Sequence, residues 1–335
     1  MAHSEAPCLA GHMITNTPQS RMSDNHAGHG GETLSSQTGL SLYDAARAAG
    51  VTFAQEFVAK DKFVEANNMK FHYQEWGDPG NPDMLVLHGF AQTCHSWDFV
   101  ALGFADRFHV IALDQRGHGD SDWAPDGDYS PETQQADINA VVEGIGLDNF
   151  VLMGLSMGGR NSFTFAANHP EQIRALVIVD AGPQNMSTGS QNIRQFVQQD
   201  DELESVDAFV QRVVSYNPRR DPVQVRGSIL HNLKQLSNGN WTWKYDKALR
   251  SSNRRMQQDP AMAERLWGYL ESLQCPTLVV KGADSDIIAL ETAGAMHERI
   301  PNGRLATVEG AGHLVMGDNP SGFEQAVTSF LNDFA

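Results

Sequence analysis

Phe150-Val151-Leu152-Met153-Gly154-Leu155-Ser156-Met157-Gly158 is the stretch on which the fold turns. Its first four residues are apolar without alternation, the pattern of a short strand buried on both faces. The segment after Gly158 has a helical pattern that stops before Pro170, since proline cannot continue a helix. Between them stands Gly-x-Ser-x-Gly. A turn from strand straight into helix is so tight that side chains two positions either side of the serine would collide. Glycines at 154 and 158 remove that collision and leave the Ser156 hydroxyl exposed at the edge of a sheet. Glycine and serine are common in any loop, so the strand before and the helix after are what give the pattern its specificity.

Working outward, further apolar runs repeat the strand signal. Met84–Leu87 ends in His88-Gly89-Phe90, and Val110–Leu113 leads into Asp114-Gln115-Arg116-Gly117-His118-Gly119. Ala175–Val179, Thr277–Val280 and Leu305–Val308 complete the set. Helical patterns alternate with them. One opens at Ser130-Pro131, a cap followed by proline at the first helical position, and shows Ile138, Val141, Val142 and Ile145 on one face. The alternation predicts an α/β fold with a mostly parallel central sheet and helices on both faces. Asn67-Asn68 predicts a hairpin turn between Phe63–Ala66 and Met69–Glu75.

The rhythm changes between residues 184 and 259, where helical patterns such as Val206–Val214 and Val223–Leu236 dominate and no strand of the sheet type is visible. Asn238-Gly239-Asn240 reads as a turn. An insertion there lies at the carboxyl edge of the sheet, where ligands bind in such folds. It reads as a helical cap. Residues 1–40 are polar and read as a disordered leader, whose His3, His12, His26 and His29 carry no assigned role. Residues 41–61 read as a helical arm, with Leu42, Ala45, Ala46, Ala49, Phe53 and Phe57 at helical spacing. The expected organisation is therefore leader 1–40, arm 41–61, core 62–183 with 260–335, and cap 184–259.

Bulk properties exclude several classes. The 335 residues carry 41 acidic and 24 basic side chains, a formal charge of −17, which repels phosphate backbones and argues against nucleic-acid binding. No apolar run reaches the roughly 20 residues needed to cross a bilayer. The first residues lack the charged start and apolar centre of a secretory signal, and a cytoplasmic setting is expected. Cys8, Cys94 and Cys275 are scattered and suggest neither a disulfide framework nor a metal site. A small-molecule substrate is the expected partner, with no cofactor or metal. Oligomeric state is not readable.

A serine hydroxyl needs a neighbouring base to become a nucleophile. His313, in Gly310-Ala311-Gly312-His313, follows the last strand-like run and fits the order serine, acid, histidine. A third residue must orient that imidazole. Asp284 and Asp286 follow one strand-like run and Asp180 ends another. Donors for a developing oxyanion are the backbone N–H groups of Phe90 and Met157. His88 precedes the serine and reads as shaping that loop.

From about Lys62 to Phe334 these motifs, in this order, resemble the α/β-hydrolase superfamily, and among its members a capped, bacterial esterase-like one. The resemblance implies an acyl-serine mechanism on a Ser156–His313–aspartate triad without cofactor. Many members place the acid three residues after the glycine that ends the strand, which here is Ser285. A Ser-Asp pair followed by two apolar residues resembles a subset of bacterial members and makes Asp286 the preferred acid, Asp284 the second and Asp180 the third. Asp114–Ser121 is structural in this family. Trp97, Trp123, Trp241 and Trp243 are candidate pocket residues, with ordinary packing as the alternative. Arg160 reads as a helix-surface or ion-pair residue before an anion-binding one. Serine at the elbow disfavours the chemistry of related dehalogenases and epoxide hydrolases, which attack with a carboxylate. Carboxylic ester hydrolysis leads. Amide, lactone or carbon–carbon bond hydrolysis on the same triad, and a slow-turnover ligand receptor, are the alternatives.

Overall fold

A computed structural model describes residues 40–250 and 260–333. Eight strands form one sheet in the order β1-β2-β4-β3-β5-β6-β10-β11. They are β1 (Lys60–Ala66), β2 (Met69–Trp76), β3 (Asp83–Leu87), β4 (His109–Leu113), β5 (Phe150–Leu155), β6 (Ile173–Val179), β10 (Thr277–Gly282) and β11 (Gly303–Val308). From β4 through β11 every pairing is parallel, while β1 and β2 form the expected hairpin and join β4 antiparallel. Asn67 and Asn68 both take positive φ, 46° and 59°, as a two-residue hairpin turn of this hand requires.

Side chains alternate across the sheet and fill two cores. Val151, Met153 and Leu155 of β5 face one side with Met84, Val86, Val177 and Val280. Helices α2 (Asp98–Phe104) and α10 (Pro320–Leu331) cover that side. Phe150 and Leu152 face the other with Leu85, Leu87 and Ile178. It is covered by α3 (Pro131–Ile145), α4 (Met157–Asn168), α8 (Pro260–Ser272) and α9 (Leu290–Arg299). Each such residue, fully buried, contributes about 1.5–3 kcal/mol relative to exposure. Burial on both faces is why the strands read as continuous apolar runs.

Two expectations need correction. The arm is helical only over α1 (Leu42–Ala48). Gly50 ends it at φ 76°, with its N–H bonded to the Arg47 carbonyl and the Val51 N–H to the Ala46 carbonyl, a left-handed glycine stop. Phe53 and Phe57 still pack on the core, but from irregular chain. The insertion after β6 is also not purely helical. Alongside α5 (Ser187–Val197), α6 (Val206–Tyr216) and α7 (Pro222–Leu230) it holds an antiparallel sheet of β7 (Glu202–Leu203), β9 (Trp241–Trp243) and β8 (Leu233–Gln235). The Asn238-Gly239 turn pairs β8 with β9, so residues after Leu230 are held in a hairpin with the β-favouring tryptophans and leave the helix. Phe209, Val225, Ile229, Trp243 and Tyr245 give the insertion its own core.

Candidate active site

Ser156 joins β5 to α4 at φ 54° and ψ −111°. A non-glycine residue held there costs on the order of 1–3 kcal/mol and persists because its surroundings fix it. Its N–H donates to the Val179 carbonyl at 3.0 Å. A Cβ added at Gly154 would lie 2.3 Å from the Gly158 carbonyl oxygen, and one at Gly158 only 2.2 Å from that of Leu87. Both glycines are there because the turn leaves no room for a methyl group.

The neighbouring parallel strand delivers the carboxylate. Asp180, one residue past β6, is fully buried at φ 42°, and its N–H donates to the Val280 carbonyl at 2.8 Å. His313 Nδ1 donates to Asp180 Oδ2 at 2.7 Å. The Ser285 hydroxyl donates to the same oxygen at 2.5 Å, and its Oγ accepts the Ile287 N–H at 3.1 Å. Asp180 is therefore the carboxylate against His313, in place of the preferred Asp286 and the second choice Asp284. Asp286 accepts from Asn192 Nδ2 at 2.7 Å, and Asp284 faces Arg219 at 3.4 Å with its side chain half exposed. Both flank Ser285. When Ser285 points at Asp180, its neighbours point elsewhere.

The loop after β3 is fixed by neutral histidines. His88 accepts the Gln115 N–H at Nε2 (3.0 Å) and donates from Nδ1 to the Gly89 carbonyl (2.8 Å). Full burial lowers its pKa, and both of its ring nitrogens are engaged by backbone groups. His118 likewise accepts the Ala91 N–H and donates to the Arg116 carbonyl. Burial, with His88 beside it, pushes its pKa down to about 3. Gly89 N–H is taken by Gln92 Oε1 at 2.9 Å, so Phe90 carries the next amide of the loop. Met157 is the first residue of α4, and its N–H has no partner within the helix. The Asp114–Ser121 segment is held structurally. Arg116 grips Asp137 of α3 through Nε (2.5 Å) and Nη2 (2.8 Å). The Asp114 carboxylate accepts from the backbone of Cys94 and Asp120.

Ser156 and His313 border one cavity of about 1270 Å³, roofed by the insertion and flanked by the arm. Of the four candidate tryptophans only Trp243 lines it. Trp97 is wholly buried against Phe323, Trp123 stands 40% exposed beneath the Lys234 ammonium, and Trp241 packs in the insertion's core. Among the described residues Arg160 forms no ion pair. Its Nε donates to the Gly182 carbonyl and its Nη2 to Asn185, tying the chain that leaves β6 for the insertion. Burial lowers its pKa to about 10. The sequence reading gave no role to Ser285, Gln92 or Gln115. Ser285 and Gln115 act through contacts between segments far apart in sequence, which no local pattern encodes, whereas Gln92 reaches Gly89 only three residues back.

A profile described as the alpha/beta hydrolase fold matches residues 82–320. The chain is 29% identical to the esterase Rv0045c of Mycobacterium tuberculosis over 264 residues, 77% of this chain and 85% of that one. It is 24% identical to Epoxide hydrolase 1 of Caenorhabditis elegans over 289 residues, 82% and 70% of the two chains. The crystal structure of Rv0045c superposes with a TM-score of 0.69 at 27% identity, covering 87% of this chain and 96% of that one.

Proposed function

The chain belongs to the α/β-hydrolase family and is a hydrolase, and we propose that it cleaves a small-molecule carboxylic ester through an acyl-serine intermediate on Ser156, His313 and Asp180. One observation carries the reading: Asp180 holds His313 by Nδ1 at the rim of the cavity that Ser156 also borders. With the Nδ1 proton donated to Asp180, the Nε2 lone pair is left as the base. It takes the Ser156 proton as Oγ attacks the ester carbonyl. The Phe90 and Met157 amides receive the oxyanion. Collapse expels the alcohol, protonated by His313. Water, activated by the same nitrogen, then attacks the acyl-serine and releases the acid and Ser156. A serine rather than a carboxylate at residue 156 favours this course over the epoxide opening named for one relative. The proposed organisation keeps residues 184–259 as the cap over this site and the core on either side, with a small-molecule substrate and a cytoplasmic setting.

The test is hydrolysis of p-nitrophenyl esters of increasing acyl length by the wild type and by Ser156→Ala. Turnover in the wild type that disappears in the variant, with a stoichiometric burst of p-nitrophenol in rapid mixing, is expected. A folded wild type that leaves every ester intact overturns the ester reading. Turnover that survives Ser156→Ala overturns the acyl-serine.

A further inference from the structure

Two clusters of potential metal ligands occur among the described residues, and they behave oppositely. In the first, His72 lies between Asp114 Oδ2 at 2.8 Å and Asp61 Oδ1 at 3.1 Å, while the buried Cys94 thiol is pushed far up, first by burial and then by Asp114. Both imidazole nitrogens are committed to carboxylates and the sulfur keeps its proton. That cluster offers a metal little.

The second joins the insertion to the core. His95 lies in the single turn Cys94–Trp97, Asp98 opens α2, and His231 follows α7 of the insertion. The His95 and His231 rings stack with centroids 3.6 Å apart and planes 22° from parallel. One ligand atom from each of His95, His231 and Asp98 lies within 4.8 Å of the others. Asp98 Oδ2 bonds His95 Nδ1 at 3.0 Å, but its other oxygen is buried with no hydrogen-bond partner among the described residues. Leaving a buried carboxylate oxygen unmatched is costly unless something else satisfies it. All three side chains line the cavity shared with Ser156.

We propose that His95, Asp98 and His231 bind a divalent transition-metal ion of the zinc–nickel–copper class, bridging insertion and core at the cavity wall. Two imidazoles and one carboxylate suit that class and not the oxygen-preferring magnesium or calcium. Three protein ligands leave a coordination position toward the cavity, where a carboxylate or carbonyl oxygen of a bound molecule can complete the shell. The site uses none of the hydrolytic residues and does not depend on the ester reading.

Calorimetric titration of the full chain with zinc and the visible absorption of its cobalt form test this. Wild type is expected to bind one equivalent more than His231→Ala, and to show an intense four-coordinate cobalt band that the variant lacks. His231→Phe keeps a ring stacked on His95 while removing its nitrogens, and should lose the same equivalent and band. Asp98→Asn should weaken the site, because a neutral amide oxygen replaces the carboxylate ligand. The metal should raise the unfolding midpoint of wild type more than that of either His231 variant. Any binding by the histidines of residues 1–39 persists equally in all variants. Equal stoichiometry, affinity and cobalt spectrum in wild type and folded His231→Phe would overturn the proposal.

Discussion

The Ser285 hydroxyl and His313 Nδ1 share one oxygen of Asp180, at 2.5 and 2.7 Å. The residue standing where related hydrolases often carry an acid has become a donor to an acid on the adjacent strand. Asp180 can take that part because β6 and β10 are parallel neighbours, with Val179 paired to Val280. Their ends meet beside the histidine loop. Asp180→Asn keeps the shape but turns the acceptor into a group that can favour the wrong imidazole tautomer. A fall in kcat of about 10⁴-fold is expected, by analogy with triads of this geometry. Asp284→Asn and Asp286→Asn should lose far less, because neither carboxylate meets His313: Asp284 faces Arg219 and Asp286 accepts from Asn192. Steady-state ester hydrolysis by the three variants decides it, and a collapse in Asp286→Asn with near-normal Asp180→Asn would reverse the assignment.

Ser285→Ala removes one donor from Asp180 and the acceptor for Ile287 N–H, leaving His313 in place. A hydrogen bond to a carboxylate is worth about 1.5–3 kcal/mol net. The variant should therefore lose roughly tenfold to a hundredfold in kcat, since each 1.4 kcal/mol is about tenfold in rate. KM should hardly change, because Ser285 does not line the cavity. A loss as severe as that of Asp180→Asn would make Ser285 more than a positioning residue.

The buried His72 gives a pH signature remote from the reaction. Burial opposes its charge, but hydrogen bonds to Asp114 and Asp61 outweigh burial and raise its pKa to about 9. A histidine in the unfolded chain titrates near ~6.5. Because the folded value is the higher one, the stabilisation is complete below about pH 6.5 and is lost as pH climbs to about 9. Urea unfolding of the wild type at intervals from pH 6 to 9 should show stability declining across that window. His72→Gln should be less stable at pH 6 and lack most of the decline. Parallel curves for the two proteins would show that His72 is neutral when folded.

How far the sequence reveals these features depends on the range of the interaction behind each one. Phe150–Leu155 and Gly154–Gly158 are legible because burial on both faces and the tight turn impose residue types on consecutive positions. His313 is legible from its place after the last strand. Asp180 is harder, since its candidacy rests on which strands become neighbours, and the local Ser285-Asp286 pattern outweighs that in a linear reading. The β8–β9 hairpin was hidden in a run of helical spacing, because Lys234 and Gln235 suit helix and exposed strand alike. Trp97 illustrates the same limit: an aromatic near a motif fills the core as readily as a pocket.

Glycine substitutions separate two roles of that residue. At Gly154 a methyl group would meet the Gly158 carbonyl oxygen at 2.3 Å and Ser162 Oγ at 2.4 Å, both part of the packed turn. The backbone must move, at a cost of about 1–3 kcal/mol or more. That motion displaces Ser156, and an error of about 1 Å at a reacting group can cost on the order of 10²-fold in rate. Gly268 lies inside α8 with nothing within 4 Å of an added Cβ. There alanine only restricts the unfolded chain and improves helix propensity. Gly268→Ala should gain about 0.5–1 kcal/mol in stability without changing ester turnover. Gly154→Ala should lose both stability and turnover. Denaturant midpoints and kcat for the pair provide the check, and a fully active, unperturbed Gly154→Ala would show that the turn at Ser156 has more room than its contacts indicate.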